Sequence, residues 1–127
     1  MLREDNSAEI LKRIADISVP NHNVVQIEDS LVFNDTNGGK VVMTSLGVSR
    51  PDHIVKIPGQ PGFVRGLAQL DRHMVFVGNQ NPAAVYEVDL NACQVLSACP
   101  LDGEPNESVS SICIIPAEFN DPPVSLR

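Results

Sequence analysis

The chain has 127 residues, enough for one domain with a sizeable core, and nine Lys and Arg against sixteen Asp and Glu leave a formal charge of −7. That balance excludes nucleic acid and anionic membrane as natural partners, because neutralising phosphates needs clustered cations. No stretch approaches the ~20 apolar residues of a membrane span, and the charged start Met1-Leu2-Arg3-Glu4-Asp5 lacks the apolar run of a signal peptide, so a cytoplasmic protein is the simplest expectation.

Aromatic residues are only 4% of the chain and Trp is absent, so the core has to be aliphatic, built from Val, Ile and Leu that suit pleated sheets. Asn6 followed by Glu9 resembles a capping box, and Ile10, Leu11, Ile14 and Ile17 recur at helical spacing. A short helix is therefore expected over about 7–15, in an N-terminal segment of about 7–17 whose alternative is the outer strand of a sheet, and Pro20 ends it. Strands are expected at 23–27, 31–34, 40–45 and 53–57, with Asn37-Gly38-Gly39 supplying the positive-φ residues of a hairpin. Pro58-Gly59-Gln60-Pro61-Gly62 forms a crossover to a second set at 64–70, 73–78, 84–90 and 94–100. A further strand is expected at 109–115, followed by a Pro-containing tail over 117–127.

The two sets are copies of one unit. His22-Asn23-Val24-Val25-Gln26-Ile27 returns 43 residues later as Arg65-Gly66-Leu67-Ala68-Gln69-Leu70, and begins again 45 residues on at Ser110-Ser111-Ile112. Spacing of this kind is the length of a β-propeller blade, about 40–45 residues. The fold expected is thus all-β, a single domain of β-propeller-like four-stranded antiparallel blades: one repeat over 20–58, another over 62–101, and an extra strand over 107–116. A small β-sandwich or barrel is the alternative, since short strands with regular turns describe those folds too.

Pro61-Gly62-Phe63-Val64-Arg65-Gly66-Leu67-Ala68 resembles the entry to an inner strand in a group of bacterial β-propeller proteins of mostly unassigned activity. Leu31-Val32-Phe33-Asn34-Asp35-Thr36 and Val85-Tyr86-Glu87-Val88-Asp89-Leu90 are similar to the same group, so that the likeness covers roughly residues 20–116. Wider relatives are the gluconolactonase-like and strictosidine-synthase-like six-bladed propellers, some with a metal in the central channel. The resemblance implies blades around an axis, yet two blades fall short of the roughly four to eight that close a propeller. Each exposed flank would be a large apolar surface, so a homo-oligomer is expected, a trimer giving six blades before a dimer.

In such a ring the starts of the inner strands border the channel. His22 and Arg65 hold equivalent starts, with Asn23 beside the first and Glu107, Ser108 and Ser110 entering the third. These residues suit a small-molecule ligand, an anion on Arg65 or a metal on His22 and Glu107, against a structural reading in which Arg65 pairs with Glu107. Asn34-Asp35-Thr36 sets a carboxylate beside a hydroxyl, but its place at the hairpin predicts an Asx-turn made by Asp35 or Asn37. Glu28, Asp29 and Asp71 fall in first turns and are expected to be solvated, and His53 and His73 lack ligand-spaced partners. Cys93, Cys99 and Cys113 are odd in number and without CxxC spacing, which predicts reduced, partly buried structural thiols. No nucleophile elbow, phosphate loop or HExxH helix is present. A non-enzymatic binding or assembly module without a cofactor is the leading expectation, and a metal-dependent lactonase or hydrolase with its site in the channel is the alternative.

Overall fold

The computed structural model describes residues 21–48, 50–59, 63–101 and 109–117, together with Ile14 and Ile17. Eight strands follow one another: β1 Asn21–Ile27, β2 Ser30–Asp35, β3 Lys40–Ser45, β4 His53–Lys56, β5 Arg65–Gln69, β6 Met74–Gln80, β7 Ala83–Asp89 and β8 Gln94–Pro100. They form two four-stranded antiparallel sheets in the orders β1-β2-β3-β4 and β5-β6-β7-β8. Each sheet is a plain meander in which every strand pairs with its neighbour in sequence. There is no helix among the described residues, and none long and apolar enough to cross a membrane. The N-terminal segment of about 7–17, with its helix expected over about 7–15, lies outside the described residues, Ile14 and Ile17 excepted.

The turns account for the meanders. Asp35 Oδ1 accepts the Gly38 N–H at 2.9 Å, so the Asx-turn belongs to Asp35, and Lys40 lies 3.8 Å from the same carboxylate across the hairpin. Gly39 takes the left-handed conformation there, at φ 65°. In the second sheet Asp71 closes the β5–β6 turn by accepting the N–H groups of His73 and Met74, both at 2.9 Å. The β6–β7 connection is two residues, Asn81-Pro82, joined by a cis peptide bond. Glu28 and Arg72 stand in the first turns of the two sheets and pair at 2.5 Å, although both remain exposed.

Alternation along the strands assigns one face of each sheet to a shared core. Val32, Val41 and Val55 of the first sheet meet Leu67, Val75, Val77, Ala84, Tyr86 and Val88 of the second, joined by Ile27, Ile57, Val64 and Leu90. The edge strands β1 and β5, the first of each sheet, lie against each other. At roughly 25 cal/mol per Å² of apolar surface, aliphatic burial of this kind is the main force holding the two sheets together. On the opposite face of the first sheet Phe33 and Val42 are also buried, outside the shared core. There Ile14, Ile17, Asn21, Val24, Leu31 and Phe33 line an open groove of about 300 Å³.

One expectation needs correction, that of partly buried thiols. Residues 109–116 pair with no described strand of the same chain. Val109 packs over Gly78, where a side chain would leave it no room, and Val109 with Ile112 pack closely over Gly66. The three cysteines are free but exposed rather than partly buried. Cys93 sits in the β7–β8 turn at φ 52°, Cys99 on the edge strand β8, and Cys113 on the unpaired segment, so none has a covering layer.

Candidate functional site at the seam between the sheets

The first strands of the two sheets share one irregularity. In β1 the pairing with β2 shifts between His22 and Val25, and in β5 the pairing with β6 shifts between Arg65 and Leu67. Asn23 and Gly66, 43 residues apart, occupy the bulges with φ 55° and 78°. Asn and Gly are the residues that accept this conformation most readily. The bulges turn the strand starts toward one another, and Asn23 joins them: its Oδ1 accepts the Gly66 N–H at 2.9 Å and an Asn34 Nδ2 hydrogen at 3.2 Å. Asn34 Nδ2 also donates to the Gly66 carbonyl at 3.2 Å, while its buried Oδ1 has no hydrogen-bond partner.

Beside this clasp runs a chain of hydrogen bonds whose direction follows from chemistry. Thr36 Oγ1 donates its one proton to the Val64 carbonyl at 2.9 Å, since a carbonyl only accepts. The 2.7 Å contact between that hydroxyl and His22 Nδ1 therefore has the ring nitrogen as donor. Arg65 Nη2 stands 3.1 Å from His22 Nε2, and a guanidinium only donates, so Nε2 accepts. His22 is thus neutral, with its proton on Nδ1. The Arg65 guanidinium also lies over the Phe63 ring, 5.0 Å from its centre, and the His22 and Phe63 rings tilt at 46° with centroids 6.3 Å apart. A cation over an aromatic face contributes about 0.5–1 kcal/mol at exposed sites.

The structure brings His22, Asn23 and Arg65 together. Ser110 is exposed on the segment that crosses Gly66 and Gly78, and Glu107, with its expected pairing to Arg65, lies outside the described residues. Reading the sequence missed Asn34, Thr36 and Phe63 as members of the seam. Asn34 and Thr36 alternate along one chain, and Asn34 pairs with His22 in the β1–β2 register, so a strand alignment contains the signal. Both nitrogens of His22 are engaged, and a metal on Nε2 would sit against the Arg65 charge. Among the described residues no three His, Cys, Asp or Glu side chains gather as a metal set. His53 Nδ1 meets the Leu90 carbonyl at 3.0 Å and the Cys93 sulfur at 3.5 Å; its proton belongs to the carbonyl, so it is not a base for the thiol. Compared with protein-family models, curated proteins and solved structures, the chain matches none.

Proposed function

We propose that the chain is a non-enzymatic, propeller-type binding or assembly module that completes its fold by self-association, a trimer of six blades before a dimer. One observation supports this reading: the apolar segment beginning at Val109 lies over the second sheet. Val64-Arg65-Gly66 leads into β5 and lies against Asn34 and Thr36 of the first sheet. The segment 45 residues later, beginning at Val109, lies against Gly66 and Gly78 of the second. The second sheet therefore has a bed for a successor, as the first sheet has for β5. Four-stranded meanders with neighbouring first strands are also the blade arrangement.

Exposed aliphatic residues at the flanks support association: Val24 on β1, Leu96 on β8, and Ile114 and Ile115 on the segment beyond. A head-to-tail contact between unlike flanks closes into a ring if its rotation permits. The lactonase alternative loses support at His22, whose nitrogens are occupied. Light scattering behind size exclusion tests the proposal. A mass of three chains is expected, and a well-folded monomer across the micromolar range would overturn it.

A further inference from the structure

We propose that Arg65 is a carboxylate-binding residue, its guanidinium held at the seam by His22 and Phe63 to receive a small free carboxylate. The inference extends the binding half of the proposed function, but it stands on contacts within one chain and does not depend on a ring.

The kind of partner that Arg65 keeps distinguishes it. Arg72 meets Glu28 and Lys40 meets Asp35, and in each pair the positive charge is cancelled by a carboxylate. Among the described residues no carboxylate pairs with Arg65, although the chain carries sixteen Asp and Glu. Its partner is a neutral imidazole, which orients the guanidinium without cancelling the charge. The imidazole is itself fixed, because Thr36 holds Nδ1 and the Val64 carbonyl holds Thr36. The guanidinium carbon lies over the Phe63 ring, 5.0 Å from its centre.

Two contacts, one of them itself anchored by Thr36, thus hold a flat cation that no described carboxylate pairs with. His22 uses one N–H of the five that a guanidinium offers, leaving the others for an acceptor in the same plane. A carboxylate matches that fork with two parallel hydrogen bonds, which a lysine cannot supply. Fixing the side chain beforehand lowers the ordering cost that binding otherwise carries, about 0.5–1.5 kcal/mol for such a side chain. The location also fits, since Arg65 begins the first strand of its sheet and Ser110 lies 45 residues on, in the segment crossing that sheet.

The test follows the Arg65 Nε–H and His22 ring signals by NMR in the full chain, with sodium citrate titrated against sodium chloride at matched ionic strength. A saturable shift of both signals is expected with citrate and not with chloride. Arg65→Lys keeps the charge and removes the fork, and is expected to weaken citrate binding by about tenfold or more. Equal citrate shifts in the Lys variant, or no shift beyond the chloride control, would overturn the proposal. Arg65 shifts that grow with protein concentration and ignore citrate would also overturn it, in favour of a carboxylate side chain from a second copy. Should the variant fail to fold, the citrate and chloride titrations of the unaltered chain still decide.

Discussion

Thr36 governs the seam at the scale of single residues, because one hydroxyl gives to a carbonyl and receives from an imidazole. Replacing it with Val keeps the shape and removes the partner of both the buried Val64 carbonyl and the part-buried His22 Nδ1–H. An unpaired buried polar group costs about 1–3 kcal/mol, so Thr36→Val should lower unfolding free energy by at least that much in urea titrations. Thr36→Ser keeps the hydroxyl and should recover most of the loss. The tautomer can be observed directly. Long-range proton–nitrogen NMR on His22 should show the proton on Nδ1 near neutral pH, and a proton found on Nε2 would contradict the Arg65 contact as drawn. His22→Phe separates the roles further: the ring remains for packing, but the acceptor that aims Arg65 is gone.

Among the elements, turns and crossings decide more than strand propensity. Gly78 is a sharp case, since a Cβ there would overlap both Val109 and the Arg65 carbonyl, and backbone cannot step aside as a flexible side chain can. Gly78→Ala should therefore destabilise by about 1–3 kcal/mol, whereas Gly47→Ala, with nothing near it, should stay within about 0.5 kcal/mol in the same denaturation assay. The β5–β6 turn adds a pH dependence. The His73 N–H, the Met74 N–H and the nearby His73 hold the Asp71 carboxyl below its ordinary value of 3.8, outweighing desolvation. A carboxyl lowered on folding stabilises the fold above its unfolded value, and that contribution fades as pH falls through the folded one. Asp71→Asn retains an acceptor for the turn, so its urea midpoint should fall less steeply on acidification than that of the parent chain. These elements also mark how far the sequence could be read. Alternating Val, Phe and Thr between Asx and Gly turns made both meanders visible, and the 43-residue offset paired His22 with Arg65. The offset could not say what those side chains touch, because Thr36 and Val64 come near only after the sheets pack. The apolar run at 109–115 satisfies strand propensity, but a strand also needs a neighbour to pair with, and no described strand of the same chain supplies one.

For the whole molecule, the question is what covers the flanks that the shared core leaves open. On the first sheet Val24 is 66% exposed beside the groove formed with Ile14, Ile17, Leu31 and Phe33. On the far side Leu96 and Ile115 are 50% and 60% exposed. Single exposed aliphatics are ordinary, but these belong to the first sheet and to the second sheet with the segment after it, and the core the sheets share is made from the same kind of surface. The proposed ring joins one flank to the other, so a charge on either should break every junction in a symmetric assembly. Val24→Asp and Ile115→Asp change exposed positions, so each isolated chain should remain folded. Burying an unpaired carboxylate at the junction should weaken association by about tenfold or more. Val48→Asp, in the β3–β4 loop away from both flanks, should leave the mass unchanged. Sedimentation of the three variants at equal concentration distinguishes the cases. Dissociation by both flank variants and not by Val48→Asp is expected of a head-to-tail ring. If Val24→Asp alone dissociates the assembly, the contact is between like faces of the first sheet, and the dimer replaces the trimer.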